Sequence, residues 1–310
     1  MVAREIIMGR EKQWTYSQVK SKDGTAIRYG HWRGKTSSNH TLVFLNGRSE
    51  WLEKYEDIAK LIQVKPDCDI LSWDHRGQGG SGGLRSHVDS YDEFLSDGRT
   101  VLEHALGSDT TYTIMAHSMG GLIALYGTLK KVFRPQQLIL SSPLLMLPDQ
   151  PIKRSIYIPA SKVACRLTMA RKSPGVGGQH DIYPGNSLTR SFSGFQRVQE
   201  SPYPIPSPTF GWVNATDEAI RFVHDPKNLQ GLLCPVLILG GSAEAVVDHR
   251  GFSHWVHEAS KASDEPISFF NIPGARHELL NEIGRTITTA RRNILYWMKQ
   301  EGFKNEVFQD

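Results

Sequence analysis

Tyr112-Thr-Ile-Met-Ala-His-Ser-Met-Gly-Gly121 runs an apolar segment into a serine and then straight into two glycines and a helix-forming stretch. The pattern predicts a strand, a sharp turn and a helix. A serine hydroxyl is a poor nucleophile, and a chain that uses one presents it at such a turn, where a helix N-terminus and nearby backbone N–H groups can meet a developing oxyanion. Ser118 stands at that point. The turn forces its central residue into strained backbone, so the residues two before and two after must be small, the logic of the G-x-S-x-G elbow. Here they are Ala116 and Gly120; alanine departs from the strict pattern by one methyl, and Gly121 gives further room where the helix packs on the sheet. The same five residues alone would also suit an ordinary helix start capped by serine.

Composition narrows the class. The chain has 310 residues, 39% hydrophobic and 22% charged, as expected of a globular protein with one large α/β core or two smaller units. Its longest apolar runs, such as Val236 to Leu239, are strand-length and far short of the ~18 apolar residues a membrane span needs. The N-terminal Met1 to Met8 carries an acid and stops being apolar too early for a signal peptide, so a cytoplasmic location is expected. Cys68, Cys165 and Cys234 are odd in number and widely spaced, with no Cys-x-x-Cys pair, which argues against a disulfide framework and structural zinc. No metal and no cofactor is expected. A formal charge of +4 is too small to imply nucleic acid.

In chain order, Thr15 to Lys20 and Ala26 to Arg33 alternate around a Lys-Asp-Gly turn and predict a β-hairpin. Thr41 to Leu45 is a buried strand running into Asn46-Gly47-Arg48-Ser49-Glu50. A loop after an early strand is where a second oxyanion donor sits in this architecture, so the donors would be the backbone N–H groups of Arg48 and Met119. Asp69 to Trp73 is a strand ending in Asp74-His75-Arg76-Gly77-Gln78-Gly79-Gly80-Ser81-Gly82. The literal G-x-G-x-x-G here raises a dinucleotide reading, but that fingerprint must open a helix, and Leu84 to Ser90 still reads as loop. A helix over Tyr91 to Ala105, the elbow, and a strand over Gln137 to Ser142 follow. Such alternation specifies a mostly parallel sheet covered on both faces.

At Pro143 the alternation breaks. Residues 147–232 are rich in proline and glycine, with short helices expected over Ile156 to Met169, and are taken as a cap inserted into a core formed by 1–146 and 233–310. Between Lys153 and Lys172 stand six basic residues and no acid, interleaved with Ile156, Ile158, Val163, Leu167 and Met169. A basic face backed by apolar residues suits peripheral contact with anionic lipid, on the inner face of a membrane; a solvated charged face is the bland alternative. The sheet then resumes with Val236 to Leu239 and Ile267 to Ile272, with helices over Arg250 to Ala262 and Ile287 to Met298.

A nucleophilic serine needs a base within reach and a carboxylate to orient that base. In elbow hydrolases these follow in the order serine, acid, histidine, each after a later strand. His277, in the loop after the last strand, is the candidate base. Glu244, immediately after its strand, is the favoured acid, with Asp248 four residues later as the alternative.

These motifs together carry a resemblance. Asn-Gly-Arg-Ser-Glu at 46 to 50, Asp-His-Arg-Gly-Gln-Gly at 74 to 79, Ala-His-Ser-Met-Gly-Gly at 116 to 121, Val-Val-Asp at 246 to 248 and Gly-Ala-Arg-His-Glu at 274 to 278 resemble the bacterial lysophospholipase and monoacylglycerol lipase family of α/β-hydrolases. Leu188 to Ser191 and Ser207 to Trp212 are similar to segments of the lysophospholipase branch, so the likeness covers nearly the whole chain. It implies an α/β-hydrolase fold with a cap, and hydrolysis of the acyl ester of a monoacyl lipid by Ser118, His277 and the acid at Glu244. Two departures bear on substrate preference: the family commonly has His-Gly where Asn46-Gly47 stands, and often aspartate where Glu244 stands. The rivals are a peptidase or small-ester hydrolase on the same scaffold, and a catalytically silent lipid-binding module. Haloalkane and epoxide hydrolases of this fold use an aspartate where Ser118 stands.

Overall fold

The computed structural model describes residues 14–33, 40–61, 68–106, 110–149, 151–175 and 182–301. The N-terminal segment behind the expected cytoplasmic location lies outside them. The chain runs β1 (Trp14–Lys20), β2 (Ala26–Trp32), β3 (His40–Leu45), a 3-10 turn (Leu52–Tyr55), α1 (Ile58–Leu61), β4 (Asp69–Trp73), α2 (Tyr91–Ala105), β5 (Thr111–His117), α3 (Met119–Leu129) and β6 (Leu138–Ser141). Then come α4 (Arg154–Arg166), α5 (Phe192–Gln199), α6 (Phe210–His224), α7 (Pro226–Leu229), β7 (Val236–Gly241), α8 (Arg250–Ala262), β8 (Ile267–Ile272), a second 3-10 turn (Leu279–Asn281) and α9 (Gly284–Glu301).

The strands form one sheet in the order β1-β2-β4-β3-β5-β6-β7-β8. The β1–β2 hairpin and the β2–β4 pair are antiparallel, and every pair from β4 to β8 is parallel. Helices cover both faces, so a central strand is apolar on both sides and reads as a continuous run. The two-residue period of β3 divides its side chains between two cores: Val43 and Leu45 pack with residues of α2, α3 and α8, whereas Leu42 and Phe44 pack with Tyr55, Ile58 and the α9 residues Ala290 and Ile294.

α2 begins where the sequence places it because Ser90 and Glu93 form a capping box, each side chain bonded to the other's end of the first turn. One part of the insertion differs from expectation. A single helix, α4, forms where short helices are expected, with Pro159 inside it. Its start is tied down by Arg154, which reaches Asp248, and by the Tyr157 hydroxyl, which donates to the Pro148 carbonyl at 2.8 Å. Among the described residues between β6 and β7 there are helices and loops and no strand. No described helix is long and apolar enough to cross a membrane.

Candidate active site

β5 ends at His117 and α3 begins at Met119, so Ser118 alone makes the turn, at φ 51° and ψ −118°. A non-glycine residue in such a conformation costs on the order of 1–3 kcal/mol and persists only where its surroundings over-determine it. They do so here: the Ser118 N–H donates to the Ser141 carbonyl at 3.0 Å, and its own carbonyl accepts from Gly121 and Leu144 at 2.9 and 3.0 Å. Gly120 is required by close approach, because a Cβ there would stand 2.4 Å from the Leu45 carbonyl oxygen.

The turn after β7 brings Glu244 up to the loop after β8. Glu244 Oε1 accepts the backbone N–H groups of Val246 and Val247 at 2.8 and 3.2 Å, which aims Oε2 at His277 Nδ1, 2.8 Å away. With Nδ1–H donating to a carboxylate, Nε2 is left as the acceptor, the form a general base needs. The His277 ring lies 4.7 Å, centre to centre, from that of His117, the residue before Ser118. Burial disfavours the charged form of His277, but the charge of Glu244, its hydrogen bond, and the further charges of Glu278 and Glu50 outweigh it and hold the imidazole above its ordinary value. His117, also buried but with weaker partners, is pushed down to about 4. Burial would raise Glu244, yet His277 and the two N–H donors bring its carboxyl below the usual value. Asp248 is engaged elsewhere: Arg250 and Arg154 each bind it at 2.8 Å and hold its carboxyl far below the usual range.

Gly47 packs against the elbow so closely that a Cβ on it would lie 3.1 Å from both Ser118 Cβ and His117 Cδ2. The following Arg48 N–H and the Met119 N–H at the start of α3 donate to no acceptor among the described residues. Buried backbone donors are seldom left unpaired; Met119 is fully buried directly after the serine, and Arg48 follows the glycine that packs against it. The glycine-rich segment after β4 braces the same loop: Gln78 Oε1 accepts the Ser49 N–H at 2.6 Å, and Gly77 N–H bonds back to Gly82 O at 2.7 Å. Its glycines close a turn and open no helix, contrary to what a dinucleotide fingerprint requires. Among the described residues no group of three or more His, Cys, Asp or Glu side chains is arranged to hold a metal ion.

One cluster escapes sequence reasoning. Lys54 is 2% exposed, and its ammonium lies 2.6 Å from Glu50 Oε1 and 2.7 Å from Glu278 Oε1. The Tyr55 hydroxyl donates to Glu50 Oε1 at 2.8 Å, and Glu50 Oε2 accepts the Gly47 N–H. Burial opposes the charge on Lys54, but the two carboxylates win and raise its affinity for the proton. Glu50 and Glu278 each close a motif, but the one signal that involves Lys54 is its spacing from Glu50, and unlike charges at i and i+4 ordinarily mark a solvent-facing helix pair.

The helical insertion meets these loops directly. Arg48 donates to the Pro206 carbonyl at 2.6 Å, Arg197 to the Lys54 carbonyl at 3.0 Å, and Glu278 N–H to the Leu188 carbonyl at 2.9 Å. The family model described as serine aminopeptidase, S33, matches residues 36–284 and so takes in the sheet from β3 onward, the insertion, the elbow and the histidine loop. The chain belongs to this family, Hydrolase_4. Among proteins similar to this chain, a Haemophilus influenzae protein named "Probable lysophospholipase L2" is 27% identical over 297 residues, covering 92% of this chain and 90% of its own. Human monoglyceride lipase is 26% identical over 286 residues, covering 90% and 88%. The crystal structure of a monoacylglycerol lipase from Paleococcus ferrophilus superposes with a TM-score of 0.72 at 21% identity, over 89% of this chain and 99% of that one. At that identity the likeness speaks for the α/β-hydrolase fold.

Proposed function

We propose that the protein is a serine hydrolase that cleaves the acyl ester of a monoacyl lipid, a lysophospholipid or a monoacylglycerol, through an acyl-enzyme. The observation that carries the reading is the strained Ser118 at the elbow, with a His277 that a 2.8 Å bond to Glu244 holds in the accepting form. In this reading Ser118 Oγ attacks the ester carbonyl while His277 Nε2 takes its proton, and Glu244 steadies the imidazolium. The Arg48 and Met119 N–H groups receive the oxyanion. His277 then protonates the leaving alcohol, and water, deprotonated by the same imidazole, releases the fatty acid.

Full-length similarity to proteins named lysophospholipase and monoglyceride lipase supports the lipid substrate. The segment over 147–232 acts as the cap. Its outward face suits peripheral contact with anionic membrane: Ile156, Val163 and Leu167 are 61%, 53% and 63% exposed. Of the six basic residues between 153 and 172, Arg154 and Lys162 are tied to Asp248 and Asp217, which leaves Lys153, Arg166, Arg171 and Lys172 to face anionic lipid.

The family description, serine aminopeptidase, favours a peptidase as the second reading. Hydrolysis of a monoacylglycerol, a lysophospholipid and an aminoacyl amide by the purified protein separates the two. Lipid turnover that Ser118→Ala lowers by ~10³-fold or more supports the lipase. Turnover of the amide alone leaves the serine chemistry and removes the lipid.

A further inference from the structure

The side chain of Arg48 is left without a role by this reaction, although it grows from the residue whose N–H addresses the substrate carbonyl. It reaches into the junction between the core and the insertion. There Nη2 donates to Ser86 Oγ at 2.7 Å and to the Pro206 carbonyl at 2.6 Å, and Nη1 meets Ser49 Oγ at 3.4 Å. The guanidinium carbon lies 5.5 Å from the centre of the Trp212 ring. Nε is buried and donates to nothing among the described residues. Every one of these acceptors is neutral.

That sets Arg48 apart from the other withdrawn arginines. Arg28 is paired with Glu53 and Asp74, and Arg76 with Asp97, Glu93 and Asp23. No carboxylate among the described residues lies within ion-pair distance of Arg48. Burial pushes its guanidinium down to about 10, and the one acidic group that acts on it is the Tyr91 phenol. Withdrawing a cation from water without a counter-ion is costly, and with both Nη2 protons taken by Ser86 and Pro206 the Nε proton and one Nη1 proton are left for the oxygens of an anion.

We propose that Arg48 receives the phosphate diester in the head group of a single-chain phospholipid, and so makes a lysophospholipid rather than a monoacylglycerol the preferred substrate. The proposal rests on the reading that Ser118 cleaves a monoacyl lipid ester. The lengths agree: the phosphate of such a lipid stands one glycerol away from the ester carbonyl, and an arginine side chain spans a comparable distance from its own N–H. A glycerol head offers only neutral hydroxyls to the same fork.

The test compares wild type with Arg48→Gln and Arg48→Lys, using hydrolysis of the soluble ester p-nitrophenyl butyrate. Dodecylphosphocholine, dodecyl maltoside and laurate serve as inhibitors, each below its micelle-forming concentration. Wild type is expected to bind the phosphocholine more tightly than the maltoside. Arg48→Gln should cut that preference by ~10-fold or more, with Arg48→Lys recovering part of it. In parallel, kcat/KM for a lysophosphatidylcholine should fall further in Arg48→Gln than kcat/KM for the monoacylglycerol of the same chain, chiefly through KM. Equal losses on the two lipids would overturn the proposal and leave Arg48 a tie between core and cap. Laurate inhibition that depends on Arg48 while phosphocholine inhibition does not would overturn it in favour of the fatty-acid product. If wild type cleaves neither lipid, the underlying reaction fails, and the inhibitor preferences, read on a soluble ester, tell that failure apart.

Discussion

Lys54 Nζ lies 2.7 Å from Glu278 Oε1, and this contact joins the loop after β3 to the loop that carries His277. Because Glu50 Oε1 is 2.6 Å from the same ammonium, one cation balances two buried carboxylates. Lys54→Met would leave both without a counter-ion. Breaking a buried pair in this way costs about 3–5 kcal/mol, so the urea midpoint should fall sharply, and Lys54→Arg should restore part of the loss. A midpoint unmoved by Lys54→Met would show that the cluster contributes little to stability.

The acid limb of the rate profile should lie above the range of an ordinary imidazole. In the proposed reaction His277 must be neutral to take the serine proton; its affinity for a proton is raised, so activity should appear only as pH climbs through that raised value. Glu278→Gln removes one of the charges that raise it and should move the limb to lower pH. Glu244→Gln removes the strongest of them and the carboxylate that orients Nδ1, so the limb should move down while kcat falls. A kcat/KM profile whose acid limb ignores both variants would mean that another group controls it.

Gly120→Ala should disrupt the elbow. The added methyl meets the Leu45 and Asn46 carbonyl oxygens at 2.4 and 2.5 Å, and these are backbone atoms of a central strand and its loop. Overpacking of this kind costs about 1–3 kcal/mol, occasionally more. Both thermal midpoint and soluble-ester turnover should drop; full activity in Gly120→Ala would contradict the packing described above.

The outward face of α4 predicts a separate effect. Ile156→Ser combined with Leu167→Ser should weaken binding to vesicles containing anionic lipid, by roughly tenfold for each side chain that enters the bilayer surface. Hydrolysis of a soluble ester should not change. Equal vesicle binding by wild type and variant would assign this face to solvent.

The sequence is most informative where local chemistry and position coincide. The small residues around Ser118, the alternation of strands and helices, and the Ser90 and Glu93 cap are all local signals, and the structure contains the elbow, the parallel sheet and α2 at those places. Glu244 and His277 meet because each follows the carboxyl end of a neighbouring parallel strand, a relation that chain order already contains. Lys54 lies outside every motif and 224 residues from Glu278, so their contact exists only once the sheet has folded. The position of Arg48 directly after Gly47 is a local feature; the neutral surroundings of its guanidinium depend on residues 86, 206 and 212, which no spacing rule connects. The 3-10 turn at Leu52–Tyr55 and the helix α1 at Ile58–Leu61 leave no mark in the sequence because each is too short to display a helical period.

β6 pairs with β7 across the whole helical insertion, Leu138 opposite Val236. The residues that brace the elbow, Ser141 and Leu144, precede the insertion in the chain, whereas the strand that covers the outer edge of β6 follows it. That edge has no partner until nearly a hundred more residues have left the ribosome. An uncovered apolar strand edge invites pairing with other chains. Until β7 and β8 emerge, the chain lacks both the strand that covers β6 and the loops that carry Glu244 and His277, so its interval of greatest exposure to aggregation is the one spent making the insertion.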